Sequence, residues 1–276
     1  MNENRAKIAV IGLTGNTVFM GVPRFHIGGE TVIAHDFYSE LGGKGFNQAV
    51  AAARQGADVS LLTAVGNDDV EKVNRFLSTE NITGFVAGKE LPSAHATILT
   101  DGSGETRVTV FPGAALDVVD VERFSDAIKS ADMVLLNNEV PEAVNLRAAE
   151  IAAESGVRIL MNPAPVRPLP KELREKVFLF TPNEFEEAEL GDVQCEVVTT
   201  LGEKGCLIRS TQELIPAVPC GKAVDSTGAG DTFTATLAVR LTEGVSLSDA
   251  CRIANKAAGQ SVAVRYVLPS LPLRTS

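Results

Sequence analysis

The stretch best suited to chemistry is Val224–Phe233, which reads Val-Asp-Ser-Thr-Gly-Ala-Gly-Asp-Thr-Phe. Its small residues Gly228, Ala229 and Gly230 allow backbone N–H groups to come close to a ligand. An apolar segment follows, so we expect a helix that adds unpaired N–H donors and the positive end of its dipole. This combination favours a bound phosphate. A phosphate would repel Asp231, which is therefore better explained as a base that takes a proton from an incoming hydroxyl group.

A second cluster, Leu41–Gln48, reads Leu-Gly-Gly-Lys-Gly-Phe-Asn-Gln. Its paired glycines allow close backbone approach at the start of a helix, and Lys44 and Asn47 can present donors to hydroxyl groups. It is not a Walker A motif, because neither Ser nor Thr follows the lysine and the glycine spacing differs. Taken alone, the cluster favours a glycine-rich turn that leads into a helix.

The segment Thr181–Glu186 follows a predicted strand and contains Asn183 and Glu186 at spacing i, i+3. Residues with this spacing lie on one face of a helix start, where an amide and a carboxylate can hold Mg²⁺ through water. The same residues are also typical of an N-cap asparagine followed by first-turn acids. Taken alone, the segment favours the cap.

Two further groups of polar or small residues follow predicted strands. Glu139 comes after Leu135–Asn138, and Thr199–Gly205 is a glycine-rich loop. Ligands of open α/β sheets bind at the carboxyl ends of the strands, which is where both groups are expected. Simple turn chemistry explains either group equally well.

The elements that position these residues alternate between strand and helix. Short apolar runs predict strands, and segments with helical periodicity predict helices. The predicted strands are Ile8–Ile11, Val59–Val65, Met133–Leu136, Val157–Met161, Val177–Phe180, Val197–Leu201 and Cys206–Arg209. The predicted helices are Phe46–Gln55, Asp68–Thr79, Glu142–Glu154, Glu184–Leu190, Asp231–Thr242 and Ser248–Val264. This order predicts an α/β protein with a mostly parallel sheet and helices on both faces.

Two regions interrupt the alternation. Residues 17–38 have no helical period, and residues 94–112 read as a hairpin around the turn Asp101–Gly104. Together they predict a small β-sheet beside the main sheet, which could act as a lid that excludes water during group transfer. A pair of edge hairpins without a lid role is equally compatible. No interdomain linker is evident, so residues 1–276 are expected to form a single domain.

Composition limits the classes of function. The 276 residues are 45% hydrophobic and carry a net charge of -10, so a large core is expected and disorder is not. An acidic chain is a poor candidate for binding nucleic acid or an anionic membrane, and residues 1–12 lack the apolar length of a signal or membrane span. The four cysteines have no metal-binding spacing. These features predict a cytoplasmic protein that binds small molecules.

Taken together, the clusters resemble those of the ribokinase family, the PfkB-type carbohydrate and nucleoside kinases, over essentially the whole chain. Gly42–Asn47 is similar to the family's first signature, and Asp225–Asp231 to its second. Their order and wide separation are more specific than either motif alone. Glu139, Asn183–Glu186 and Thr200–Gly205 occupy the places where the family has similar motifs between the two signatures.

The resemblance implies a three-layer α/β fold with a β-sheet lid, ATP as phosphoryl donor and Mg²⁺. It implies that Asp231 is the catalytic base and that the N–H groups of Gly228, Ala229 and Gly230 form an anion hole. The residues expected to face an acceptor sugar are Gly43, Lys44, Asn47 and Glu139. Those expected along the nucleotide are Asn183, Thr200, Gly202, Gly205 and Asn255, with Glu186 holding Mg²⁺ through water. A homodimer formed through the lid is also implied.

The sequence departs from the family pattern on the acceptor side. Members usually have Asn-x-Asp after the first strand, whereas the matching positions here, Gly15–Thr17, read Gly-Asn-Thr. The missing aspartate would make charge-assisted hydrogen bonds to sugar hydroxyls, worth roughly 1.5–3 kcal/mol each. Either the acceptor is not ribose, or its affinity is low unless Asn16 or a lid residue compensates.

A second departure concerns a monovalent cation such as K⁺. Asp225 could serve such a site, but Val264–Pro269 lacks the glycine found in potassium-activated members. A third departure is Pro112–Ala115, where an asparagine often follows the glycine.

Three functions remain open from the sequence. The first is an ATP-dependent kinase of a small sugar. The second is a nucleoside kinase, in which aromatic residues of the lid would stack on a base; Phe19, Phe25, Phe37 and Tyr38 are available. The third is a non-catalytic sugar- or nucleotide-binding protein, against which the retention of Asp231 argues because a binding module needs no proton acceptor.

Overall fold

The computed structural model describes residues 5–274. The strands are β1 Lys7–Ile11, β2 Gly15–Gly21, β3 Asp36–Gly42, β4 Asp58–Gly66, β5 Thr83–Lys89, β6 Ala94–Thr100, β7 Thr106–Phe111, β8 Met133–Asn137, β9 Arg158–Asn162, β10 Leu179–Phe180, β11 Glu196–Thr200, β12 Cys206–Ile208 and β13 Glu213–Ile215. The α-helices are α1 Lys44–Arg54, α2 Val70–Thr79, α3 Val118–Arg123, α4 Ser125–Ser130, α5 Glu142–Glu154, α6 Lys171–Arg174, α7 Glu184–Leu190, α8 Ala229–Thr242 and α9 Leu247–Ser261.

Nine strands form one large sheet in the order β13-β12-β11-β10-β9-β8-β1-β4-β5. Neighbours from β11 to β5 pair in parallel, whereas β12 and β13 are antiparallel at one edge. The chain goes from β1 to one side through β4 and β5, and later returns through β8 on the other side. The order therefore reverses at β1 and β8, and their carboxyl ends flank the crevice where open α/β sheets bind ligands.

Helices cover both faces of this sheet. All five residues of β8 are buried, as expected for a central parallel strand with helices on both sides. One core includes Phe46 of α1 and Leu237 of α8, and the other includes Phe124 and Ile151. The two cores hold α1 and α8 on one face and α5 on the other, which fixes the helix starts near the crevice.

The remaining four strands form a separate small sheet in the order β3-β2-β6-β7. The strand β2 pairs antiparallel with β3 and parallel with β6, so the two regions at 17–38 and 94–112 meet along it. The C-terminal segment joins this sheet to the main body, because the carboxylate of Glu40 accepts hydrogen bonds from the N–H groups of Val267 (2.9 Å) and Leu268 (3.0 Å). The expected small β-sheet is therefore present.

The α/β class and the order of elements agree with the sequence, but some elements were not predicted. The strand β5 has an alternating exposed and half-buried pattern with two glycines, which gives no apolar run. The helices α3, α4 and α6 have six residues or fewer, too short for helical periodicity to show. Within residues 5–274, no helix has the length and apolar character needed to span a membrane.

Candidate active site

Asp231 is the third residue of α8 and lies against α1, the helix that follows the first glycine-rich cluster. Its carboxylate is buried and accepts hydrogen bonds from Asn47 Nδ2 at 2.9 Å and Gln48 Nε2 at 3.0 Å. The structure thus brings both motifs, 184 residues apart, into direct contact. Burial raises the pKa of Asp231 above its ordinary value, although the Lys44 charge and both hydrogen bonds act in the opposite direction.

Gln48 was not singled out from the sequence, although it holds one oxygen of Asp231. Its side chain is fully buried in α1, a helix with four alanines and one glycine among its 11 residues. Two adjacent buried amides, Asn47 and Gln48, in such a helix need polar partners, and this pattern was the available signal. The amide oxygens Asn47 Oδ1 and Gln48 Oε1 have no hydrogen-bond partner among residues 5–274.

Lys44 and Glu139 meet where α1 begins. The backbone N–H of Lys44 donates to Glu139 Oε2 at 2.6 Å, which joins the helix start to the loop after β8. Burial alone would lower the pKa of the Lys44 ammonium, but the charges of Asp231, Glu139 and Glu186 together raise it. Residues predicted to serve the acceptor and residues predicted to serve the nucleotide therefore share one electrostatic environment.

Glu139 is a second acid of the crevice whose pKa is raised. Its pKa is raised to about 7: burial is the main cause and the charge of Asp231 adds to it, while the charge and the N–H of Lys44 act in the opposite direction. Close to neutral pH the carboxyl group is therefore divided between its two protonation states. The ordinary pKa of a glutamate is 4.5. Between pH 4.5 and pH 7 the folded protein therefore retains a proton on Glu139 that the unfolded chain has released.

We expect Glu139→Gln to stabilise the protein at pH 8 and to have little effect at pH 5. A carboxyl whose folded pKa is raised contributes stability at low pH and loses it as the pH rises through 7, the value to which burial shifts Glu139. The amide removes this loss, and the gain in free energy of unfolding at pH 8 is about 2–3 kcal/mol. Urea denaturation of both proteins at the two pH values measures it; an equal difference at both would contradict the assignment.

The start of α8, which we term the anion seat, is a candidate site for a bound anion. Gly228 is its N-cap with φ 80°, and no side chain caps the helix. A Cβ on Gly228 would lie 2.6 Å from Val267, whereas one on Gly230 would meet nothing within 4 Å. Of the N–H groups of Gly228, Ala229 and Gly230, that of Ala229 donates to Ser226 O at 3.2 Å, whereas the other two have no partner within residues 5–274. Of the three predicted donors, Ala229 is already engaged.

Asn183 and Glu186 form a complete capping box at the start of α7. Asn183 Oδ1 accepts from the Glu186 N–H at 2.8 Å, and Glu186 Oε2 accepts from the Asn183 N–H at 2.9 Å. The helix cap expected from the sequence is therefore present. It does not exclude a role in holding Mg²⁺, because Glu186 Oε1 has no hydrogen bond within residues 5–274. The charge of Glu186 also acts on Lys44, so Glu186 shares the electrostatic environment of the crevice. A carboxylate with one free oxygen is a suitable partner for a hydrated Mg²⁺.

The other residues predicted along a nucleotide differ in their surroundings. Thr200 ends β11 and forms a parallel bridge with Asn183. Gly202 has φ 58° and open space around it, which suits close approach of a ligand. Gly205 instead packs against Ile215 O at 2.0 Å from the position of a Cβ, so a side chain is excluded by the fold itself.

The side-chain amide of Asn255 is hydrogen-bonded to the backbone. It lies in α9, is 6% exposed and donates from Nδ2 to the carbonyl oxygens of Ile215 (3.0 Å) and Pro216 (3.2 Å). Its amide hydrogens hold the segment after β13. A direct hydrogen bond from this amide to a base would require it to give up one of these contacts.

Asp225, the residue considered for a monovalent cation, accepts three hydrogen bonds from the chain. Its Oδ1 accepts from Thr227 N at 2.9 Å and Thr227 Oγ1 at 2.7 Å, and its Oδ2 accepts from Tyr266 N at 3.0 Å. Both carboxylate oxygens are thus occupied by donors of the chain. Tyr266 reaches this position with φ 66°, a backbone conformation that glycine adopts more readily.

On the acceptor side, Asn16 and Thr17 point in different directions. Asn16 Nδ2 donates to Asp69 Oδ2 at 3.1 Å and its Oδ1 accepts from Lys72 Nζ at 2.6 Å, so both ends of the amide are used. Asn16 therefore does not replace the missing aspartate. Thr17 Oγ1 instead lies beside Gly42, 2.6 Å from the position a Cβ would take there.

Three of the four aromatic residues considered for base stacking pack against other side chains of the chain. Tyr38 stacks on Tyr266 with ring centroids 3.9 Å apart, and Phe19 meets Tyr266 edge-on at 5.2 Å. Phe25 lies under the guanidinium of Arg107, and Phe37 is 66% exposed. Phe19, Phe25 and Tyr38 therefore contact other side chains of the chain and contribute to the packing of the small sheet.

Comparison with known proteins agrees with this geometry. Residues 5–274 match the family model described as pfkB family carbohydrate kinase. The ribokinase of Lactococcus lactis is 34% identical, with 93% of this chain and 90% of that protein aligned. The bifunctional ribokinase/ribose-5-phosphate isomerase A of Fructilactobacillus sanfranciscensis is also 34% identical, but the match covers 97% of this chain and only 55% of that protein.

Solved structures show the same fold. Arabidopsis thaliana ribokinase complexed with ribose and ATP superposes with a TM-score of 0.85 at 25% identity, covering 98% of this chain and 96% of that one. The chain therefore belongs to the PfkB family of carbohydrate kinases. Within that family it is an ATP-dependent sugar kinase, a transferase whose closely similar curated relatives are ribokinases.

Proposed function

We propose that this kinase transfers the γ-phosphoryl group of ATP to a hydroxyl group of a small sugar, with Asp231 as the general base. The observation that carries the proposal is the position of Asp231. It is a buried carboxylate, held by two amide donors, one residue from the free N–H of Gly230. A base and a phosphate seat on the same helix turn suit in-line transfer to a hydroxyl group.

On the acceptor side, the chain supplies a base and hydrogen-bonding oxygens. An acceptor hydroxyl that approaches Asp231 would transfer its proton to the carboxylate as the phosphoryl group moves. The raised pKa of Asp231 makes it a stronger base than an exposed aspartate. Asn47 Oδ1, buried without a donor, and Glu139 can accept hydrogen bonds from other hydroxyl groups of the sugar.

On the nucleotide side, the free N–H groups of Gly228 and Gly230 would stabilise negative charge on the transferred group. Lys44 would neutralise the phosphates, and its raised pKa keeps it charged. Gly202 and Thr200 would lie along ATP, with Glu186 and Asn183 beside Mg²⁺. Bound Mg²⁺ supplies charge neutralisation for the phosphates. A K⁺ site is not part of this proposal, because the oxygens of Asp225 are engaged by Thr227 and Tyr266.

The small sheet has two proposed roles. It would exclude water from the crevice, since β2 contains Thr17 and β3 leads directly into the first glycine-rich cluster. It would also be the surface through which a homodimer forms, because Phe37, Val108 and Val110 are more than half exposed on it.

Nucleoside phosphorylation has less support, because Phe19 and Tyr38 are engaged with Tyr266 rather than with an open face. A non-catalytic binding role leaves Asp231 unexplained, since burying a carboxylate between two amides carries a desolvation cost that pure binding does not require.

The proposal is tested by measuring ADP release with Mg²⁺-ATP and a panel of acceptors. The panel contains neutral pentoses and hexoses, sugar acids, sugar phosphates and nucleosides. We expect at least one acceptor with a free hydroxyl to give a phosphorylated product, identified by mass spectrometry, and nucleosides to be poorer than sugars. ATP binding with no product from any acceptor would contradict the proposal.

A further inference from the structure

A cavity of about 200 Å³ lies at the carboxyl edge of the large sheet, beside the proposed transfer site. Apart from Ala64 of β4, its walls come from four connections: Gly12 and Leu13 after β1, Pro112 and Ala114–Leu116 after β7, Glu139–Pro141 after β8, and Arg167 after β9. Leu13 also packs on Gly43, which places the cavity against the first glycine-rich cluster. Because Glu139 is shared, the cavity opens next to the groups that would receive the acceptor.

Arg167 is the feature of this cavity that the proposed function leaves unexplained. Its Nε and Nη2 atoms are shielded from solvent and have no hydrogen-bond partner in the described part of the chain, residues 5–274. Burial lowers the pKa of Arg167, and the charge of Glu142 only partly opposes this. A guanidinium group remains charged in proteins, so two unpaired N–H groups out of water carry a desolvation cost that a ligand can relieve.

The two unpaired nitrogens of Arg167 indicate which chemical group of a ligand would pair with them. Nε and Nη2 form one edge of the guanidinium plane, and this edge matches the two oxygens of a carboxylate in a bidentate pair. The nearby walls are apolar, with Leu13, Ala64 and Leu116, so an ion pair here would be little screened. Val140 and Pro141 add the start of α5, which no side chain caps.

We infer that the acceptor of this kinase is a sugar acid whose carboxylate pairs with Arg167 while one of its hydroxyl groups reaches Asp231. This inference rests on the proposed function and specifies its substrate class. It also accounts for Thr17, since an aspartate at that position would add a negative charge close to an anionic acceptor. The transfer itself is unchanged: the acceptor oxygen forms a bond to the γ-phosphorus, the bond to ADP breaks, and Asp231 takes the hydroxyl proton.

The experiment compares wild type, Arg167→Met and Arg75→Met with a sugar acid, the neutral sugar of equal length and the corresponding sugar phosphate. Arg75 is an exposed arginine of α2 whose side chain is 73% accessible, so its variant controls for loss of charge alone. Methionine keeps the length and apolar stem of Arg167 without the guanidinium group. Kinetics and calorimetric binding of each acceptor without ATP are both measured.

We expect wild type to prefer the sugar acid, and Arg167→Met to lose about 10- to 100-fold in kcat/KM and in affinity for it. The KM for ATP and the activity on the neutral sugar should stay within about threefold of wild type. Turnover of neutral sugars with no binding of sugar acids would overturn the inference and leave the proposed function intact. Preference for the sugar phosphate would overturn the choice of a carboxylate, and no turnover of any acceptor would overturn the proposed function itself.

Discussion

Asp231→Asn is expected to lower kcat by about 10²–10⁴-fold, the range that a positioned general base supplies. The asparagine cannot accept the hydroxyl proton, while the N–H groups of Gly228 and Gly230 that would hold the phosphate remain in place. ATP affinity should therefore change little. Stopped-time ADP release gives kcat, and calorimetric titration with a non-hydrolysable ATP analogue gives the affinity.

The variant should fold, because its surroundings can adapt. Asn47 and Gln48 each have one amide oxygen without a partner, so rotation of either amide offers an acceptor to the new NH₂ group. Loss of a buried charge should also raise the free energy of unfolding, in accord with the raised pKa of Asp231. Asp126→Asn, an exposed change on α4, is the control. A kcat close to wild type in Asp231→Asn would eliminate this residue as the base.

The proposed catalytic centre could be read from sequence because its parts are local motifs. Gly228–Asp231 encodes a glycine in the left-handed region, a helix start and a carboxylate within four residues, and the structure retains all three. The contact between Asn47 and Asp231 follows from α1 and α8 packing on the same face of the sheet. That contact depends on the fold, so spacing alone did not predict it.

The acceptor pocket was less predictable for a physical reason. Its walls come from four separate connections, and Arg167 has meaning only because two of its nitrogens end up buried without partners. Sequence gives no indication of such burial in a loop. The reverse occurred for Asn16 and Asn255, whose amides looked available to a ligand but bond to Asp69, Lys72 and backbone carbonyls once the chain is folded.

The second large effect is expected from alanine at the two glycines that frame the anion seat. Gly228→Ala should lower the free energy of unfolding by about 2–4 kcal/mol, because Gly228 is left-handed and its Cβ would overpack against Val267. Gly230→Ala should instead keep or slightly raise stability, since Gly230 is helical and its Cβ meets open space. Gly244→Ala, left-handed but open, separates backbone strain from overpacking.

The catalytic effect of the two changes should not follow their effect on stability. The methyl group of Gly230→Ala would occupy space beside the free N–H groups, where the proposed function places the transferred phosphate, so we expect kcat/KM for ATP to fall by about 10²-fold. Gly228→Ala should reduce it as well, by shifting the start of α8, whereas Gly244→Ala at the far end of that helix should not. Thermal unfolding and ATP kinetics on the three variants distinguish these effects. Unchanged ATP kinetics in a stable Gly230→Ala protein would mean that the phosphate does not bind at this helix start. The added methyl group meets no other atom of the protein within 4 Å, so a bound phosphate is the group that it would displace.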